Sequence, residues 1–274
     1  MLSSPAAGFG ADAPPKISAA RVDGGGFLRH DVDSEYQAGT TAIRVLLPDA
    51  ANRGVRRRVL LVLPVEPGLE HRYGDGLAEV RRLDVHNRHQ LICIEPTFAA
   101  LPWYADHPTD SRLRQETYLL EVVLPFLKRE YGVSAERDAW LLLGFSKSGW
   151  GAWSLLLRHP ELFDRAAAWD APMAMHWPSQ YGSQPIFATE QNFERYEIFQ
   201  ALKRESPRLQ GAARLGLFGY GNFRKQHEET HALMQELGIA HIYRDGPSRS
   251  HDWSSGWIAE AVEFLVADST ASGR

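Results

Sequence analysis

The stretch Leu141–Leu157, LLLGFSKSGWGAWSLLL, places hydroxyl groups where an apolar strand-like run gives way to an apolar helical run. Ser146 has Gly144 two residues before it and Ser148 two residues after it, and Lys147 follows it directly. A nucleophilic serine needs a strained strand-to-helix turn that lifts its Oγ clear of a sheet edge. That turn crowds the two backbones, so the residues two before and two after must be small. The N–H of the next residue, here Lys147, then opens a helix and can face a developing oxyanion. Ser148 is the competing hydroxyl, but Trp150 two positions on is too large for such a turn. The simpler role for Ser146 is a helix cap. Glycines at 144, 149 and 151 favour the close-approach turn instead.

A serine nucleophile needs a base, and the chain has 11 histidines. His251 follows the last strand-like run, AHIYRDG, in the loop PSRSHDW and precedes the terminal helical segment. That is where the base falls when it comes last in chain order. Most other histidines lie on helices or in loops nearer the N-terminus, where a solvated or locally bonded imidazole is the usual role. A different chemistry is written in HEETH, His227–His231. Two histidines four apart share a helix face and can ligate zinc, with Glu228 activating a metal-bound water. The extended form of that motif needs Gly at 234 and His at 237, where this chain has Met and Leu. A third ligand would have to come from Glu236, His241, Glu260 or Glu263, none in a recognisable setting. A solvated helix face is therefore the better reading of HEETH, and no metal or cofactor is expected.

The elements that must position these groups follow a regular pattern. Short apolar strands (RVLLVLPV, LICIEPTF, AWLLLGF, RAAAWDAP, ARLGLFGYG and AHIYRDGP) alternate with helical segments at 76–89, 114–132, 148–163, 224–237 and 254–267. Near-continuous apolar strands imply burial on both faces, hence a mostly parallel sheet with helices on both sides. Ahead of them FLRHDVDSEYQ and TTAIRVLLP predict an antiparallel hairpin around Ala38-Gly39. Residues 1–26, rich in Ala, Pro, Ser and Gly, read as a flexible arm, and 27–274 as a single domain. The segment 173–210, after the sixth predicted strand, is long enough to be a cap-like insertion over a site.

The 274 residues carry 44% hydrophobic and 23% charged side chains, which fits one large globular α/β domain. A formal net charge of −4 gives no pull toward nucleic acid or anionic membrane. The run Arg56–Arg58 reads as a solvated strand entrance. The lone Cys93 lies in an apolar strand and is expected to be inert packing. The N-terminus lacks the basic and apolar regions of a secretion signal, and no run approaches a membrane span of about 18–20 apolar residues. The expected location is cytoplasmic. The expected partners are a small molecule and, at most, a second copy of the chain.

The motifs AIRVLLPD (42–49), LLVLPVEPG (60–68), PWYADHPTDSRLRQETYLLEVVLPFL (102–127), LLGFSKSGWGAWSLLLRHPELF (142–163) and SHDWSSGW (250–257) together resemble the esterase D-like esterases of the α/β-hydrolase superfamily. The likeness runs from about residue 27 to the end. It implies an α/β-hydrolase fold, carboxylic-ester hydrolysis without a cofactor, and a second oxyanion N–H from Val65 or Glu66.

The chain departs from that family at two places. Ser148 stands where the family has Gly, a small-for-small exchange. The family's acid follows the strand before the penultimate helix, and here that position is Asn222, which can orient an imidazole but cannot carry charge. Asp170, at the end of the strand after the nucleophile helix, is the leading substitute, because a carboxylate in so apolar a context needs a partner. Asn222 as an uncharged orienter and Glu228 or Glu229 remain open. Trp103, Tyr104, Trp150, Trp177 and Tyr181 are candidates for an aromatic pocket wall, with core packing the competing role for each. Together these residues and the resemblance predict a serine esterase using Ser146, His251 and Asp170. Its rivals are an acyltransferase on the same triad, a zinc metallopeptidase and a non-catalytic α/β-hydrolase scaffold.

Overall fold

The central strands bury both faces because successive residues feed two different cores. The computed structural model describes residues 14–50 and 57–267. Among them lie β1 (Lys16–Ile17), β2 (Arg21–Val22), β3 (Leu28–Asp33), β4 (Thr41–Leu46), β5 (Arg58–Val62), β6 (Leu91–Pro96), β7 (Trp140–Phe145), β8 (Arg165–Trp169), β9 (Leu215–Tyr220) and β10 (His241–Ser248). They form one sheet in the order β1-β3-β4-β6-β5-β7-β8-β9-β10, with β2 also paired to β3. From β6 through β5 and β7 to β10 the pairing is parallel. The β1–β4 edge is antiparallel, and β4 joins β6 antiparallel.

The helices are α1 (Gly76–Arg82), α2 (Val85–Arg88), α3 (Gln115–Tyr118), α4 (Leu124–Tyr131), α5 (Lys147–Arg158), α6 (Gln184–Phe187), α7 (Glu190–Glu194), α8 (Ile198–Glu205), α9 (Arg224–Glu236) and α10 (Ile258–Val266). Val59 and Leu61 of β5, Trp140 and Leu142 of β7, and Ala166 and Ala168 of β8 pack with Tyr118, Leu127, Leu155, Leu202 and Met234 from α3, α4, α5, α8 and α9. Their alternates Leu60, Val62, Leu141, Leu143, Ala167 and Trp169 pack with Leu77, Val85 and Leu265 from α1, α2 and α10. The period-two alternation of a strand thus explains the unbroken apolar runs. The sheet is open and mostly parallel, with helices on both faces, as the sequence pattern predicts. Among the described residues no helix is long and apolar enough to cross a membrane.

Some expectations are corrected. The helix expected at 76–89 is two helices, because Asp84 adopts a left-handed backbone at φ 56. The arm expected over 1–26 is ordered from residue 14, while residues 1–13 lie outside the described residues, as does Arg56. β1 and β2 add to β3, Ser18 N–H donates to Asp31 O at 2.9 Å, and Asp23 reaches the buried Arg44 guanidinium at 3.2 Å. These are long-range contacts that local composition cannot announce. The insertion at 173–210 is likewise no separate lid: Ile186, Phe187, Phe193, Tyr196, Ile198 and Leu202 belong to the same core cluster as the sheet.

Candidate active site

The turn between β7 and α5 holds Ser146 at φ 53, ψ −129, a backbone conformation that residues bearing a Cβ rarely adopt. Its N–H donates to Trp169 O at 3.0 Å and its carbonyl accepts from Gly149 N at 3.0 Å, so both flanks fix the strain. Ser148 turns inward, with Oγ donating to Phe145 O at 2.8 Å and accepting from Phe145 N at 2.9 Å. It supports the turn and is fully buried. A Cβ on Gly144 would lie 2.1 Å from Ser148 O, a backbone atom that cannot move aside. Gly144→Ala is therefore expected to destabilise the fold by about 3 kcal/mol or more, as overpacking against backbone does. In a thermal melt this lowers Tm by roughly 5–10 °C, and an unchanged Tm would show the turn to be looser than described.

His251 bridges Ser146 and Asp170. His251 Nε2 lies 3.1 Å from Ser146 Oγ, and its Nδ1 lies 2.5 Å from Asp170 Oδ2. With Nδ1–H donating to the carboxylate, Nε2 presents its lone pair to the serine hydroxyl. Asp170 has no exposed surface. Burial pushes its pKa up, but the His251 hydrogen bond and the amides of Gly221 and Phe223 outweigh that and hold the carboxyl below its usual range. Asn222 N–H and Phe223 N–H donate to Asp170 Oδ1 at 2.7 and 2.8 Å. Gly221 makes this approach possible, since a Cβ there would sit 2.6 Å from Asp170 Oδ2. A hydroxyl, an imidazole and an ionised carboxylate in series can move a proton off the hydroxyl and stabilise the resulting imidazolium.

Other sequence candidates fall elsewhere. Asn222 offers Asp170 its main-chain amide, while its side chain is exposed, so it is not the residue that orients His251. Glu228 pairs with Arg224 at 3.1 Å and Glu229 with Lys225 at 4.0 Å. The HEETH residues also diverge. His227 is buried with Nε2 3.0 Å from the Ala171 backbone, and burial pushes its pKa down to about 4. His231 Nδ1 faces His241 Nε2 at 2.7 Å. Among the described residues no three His, Cys, Asp or Glu side chains are grouped to hold a metal ion.

Trp103, Tyr104 and Trp150 are corrected from pocket wall to core. All three are fully buried; Trp103 and Trp150 pack edge to face at 5.6 Å, and the Tyr104 ring lies against Gly151. Tyr104 OH donates to Pro64 O at 2.6 Å, bracing the chain just before Val65 and Glu66. Trp177 and Tyr181 are 56% and 46% exposed on the insertion. Tyr181, at φ 54, packs its ring 5.4 Å from Phe223, whose own ring is 6.0 Å from His251. The Trp177 ring lies tilted 6.2 Å from that of His176.

Sequence reasoning missed the aromatic surround of the base. Tyr73, Phe145, Trp169 and Phe223 lie with ring centroids 5.3, 4.5, 6.2 and 6.0 Å from His251. Tyr73 sits in HRYGDG, a loop with no periodicity to flag it, and its carbonyl accepts from Trp253 N at 2.9 Å. That bond ties the loop after β5 to the loop carrying His251.

The donors expected for an oxyanion stand at the same sheet edge. Lys147 is the first residue of α5, where an N–H has no intrahelical acceptor. Val65 and Glu66 follow β5, the parallel neighbour of β7, in the register Val62↔Leu143.

Comparison with known proteins gives a consistent result. Residues 101–212 match the family model described as "Putative esterase". No curated protein matches the chain by sequence. Among solved structures, the chain is similar to the Staphylococcus aureus S-formylglutathione hydrolase FrmB, with TM-score 0.68 and 17% identity over 88% of this chain and 98% of that one. It is similar to the fluorophosphonate-binding serine hydrolase F of the same organism, with TM-score 0.70 and 16% identity over 88% and 98%. It is also similar to a ferulic acid esterase, with TM-score 0.67 and 20% identity over 92% and 97%. At these identities the structural likeness carries the fold.

Proposed function

We propose that this chain, which matches an esterase family model over residues 101–212, cleaves carboxylic esters through an acyl-enzyme on Ser146. The observation that carries this reading is the unbroken series Ser146 Oγ, His251, Asp170, with separations of 3.1 and 2.5 Å and a buried carboxylate at its end.

As Ser146 Oγ attacks the ester carbonyl carbon, its proton passes to His251 Nε2 and the carbonyl oxygen becomes an oxyanion. The N–H of Lys147 and that of Val65 or Glu66 receive this oxyanion. The tetrahedral intermediate then expels the alcohol, which leaves with the proton held on His251. Water attacks the acyl-enzyme by the same route in reverse, His251 again taking a proton, and frees the carboxylic acid and Ser146. Asp170 holds the Nδ1–H tautomer and offsets the imidazolium charge at both stages. Tyr181 and Phe223 form the aromatic rim over which the substrate enters.

The test is covalent labelling with a fluorophosphonate, followed by peptide mapping and turnover of p-nitrophenyl esters of graded acyl length. One phosphonyl group on Ser146, abolishing turnover that persists in excess chelator, is the expected result. Labelling at another residue, or chelator-sensitive turnover, would end this reading.

A further inference from the structure

Lys147 and Glu66 stand on the two chain segments whose backbone N–H groups would hold the oxyanion, and their side chains meet across the gap. Lys147 Nζ lies 3.8 Å from Glu66 Oε1, and the side chains retain 13% and 12% of their exposure. The segments are neighbours because β5 and β7 run parallel, and the ladder continues to Leu63 N–H donating to Leu143 O at 2.9 Å. Pro64, Val65 and Glu66 lie beyond that bond on one side and the Ser146 turn on the other.

So enclosed a pair differs from the exposed surface bridges that contribute little. Burial drives the Lys147 pKa down, Glu66 pulls it back up, and Arg72 pushes it down again. The ammonium therefore occupies a site that disfavours it apart from Glu66. Without that carboxylate it would face Arg72 with no counter-charge, so the pair has reason to stay closed.

We propose that the Lys147–Glu66 ion pair is a clasp that fixes the spacing of the two oxyanion donors, making both side chains positioning residues for turnover. This rests on the serine-hydrolase reading above. Oxyanion donors act only at hydrogen-bond distance from where the charge develops, and a shift of about 1 Å costs on the order of 100-fold in rate. The clasp holds the donors to that spacing before substrate arrives. Binding of the ground-state ester does not depend on it.

The experiment is a double-mutant cycle on a short p-nitrophenyl ester with wild type, Lys147→Met, Glu66→Gln, the double variant and Lys147→Arg. It is read as kcat and KM, with affinity for a trifluoromethyl ketone, which forms a tetrahedral oxyanion adduct. Each single variant is expected to lose about 10- to 100-fold in kcat, with KM within about twofold. The double variant should be no worse than the poorer single, because each change opens the same clasp. Lys147→Arg should recover most of the loss, and ketone affinity should fall in step with kcat. Glu66→Gln keeps the side chain's shape but leaves the Lys147 ammonium without its counter-charge, so its melting temperature should fall, and kcat is read well below that transition. Wild-type kcat in Glu66→Gln, multiplying losses in the double variant, or a loss confined to KM would each overturn the clasp. An inactive wild type that behaves like Ser146→Ala would instead fail the serine-hydrolase reading, so the two failures are distinct.

Discussion

Ser146→Ala is expected to lower kcat on a p-nitrophenyl ester by about five to six orders of magnitude, with KM within about threefold. The neighbouring hydroxyl, Ser148, cannot take over. Ser148 Oγ is bonded at both ends to Phe145 and buried. What survives the change is electrostatic: the oxyanion donors and the bound geometry remain, and these alone leave roughly 10³–10⁴ over water in comparable hydrolases. Thermal stability should hardly move, because alanine keeps the Cβ and the turn, and Ser146 Oγ makes only the 3.1 Å contact with His251. A purified Ser146→Ala protein retaining a tenth of wild-type kcat would refute the assignment.

Asp170→Asn should cost about four orders of magnitude in kcat. The amide can still accept from the Asn222 and Phe223 N–H groups, so the fold at the end of β8 survives. Its NH2 group, however, would face His251 Nδ1 and select the tautomer with the proton on Nε2. That nitrogen then has no lone pair for the serine, and the imidazolium loses its counter-charge. The pH dependence of stability has a definite sign. Because the folded pKa of Asp170 is lowered, its contribution is present above the ordinary carboxylate range and is lost as pH falls through the folded value. Asp170→Asn should remove that part of the acid-side loss in melts taken from pH 7 downward. A kcat within tenfold of wild type would return the acid role to another residue.

These two side chains were legible in the sequence for different reasons. Ser146 was visible because hard-sphere crowding dictates small neighbours, and Gly144 and Ser148 meet that demand. Asp170 was visible because a lone carboxylate at the end of an apolar strand has to be paired, although the sequence left Asn222 open. The structure shows why it had to: the loop after β9 does reach the acid, but with main-chain amides. The aromatic candidates show the limit of the method. Trp103, Tyr104 and Trp150 are the right type in the right region, yet orientation decides core against pocket, and a loop or helix start has no period from which to read it. Ordering of residues 14–26 was equally hidden, because strands of two residues carry no alternation and their partners lie in β3 and at Arg44.

Ser146 and Asp170 both belong to one βαβ unit, β7-α5-β8, whereas His251 lies 105 residues beyond Ser146 and 81 beyond Asp170. Local units close early and distant pairings late. During synthesis β7-α5-β8 therefore emerges before β10 and the loop that carries His251. On the serine-hydrolase reading proposed above, the proton relay is complete only once the loop carrying His251 has docked.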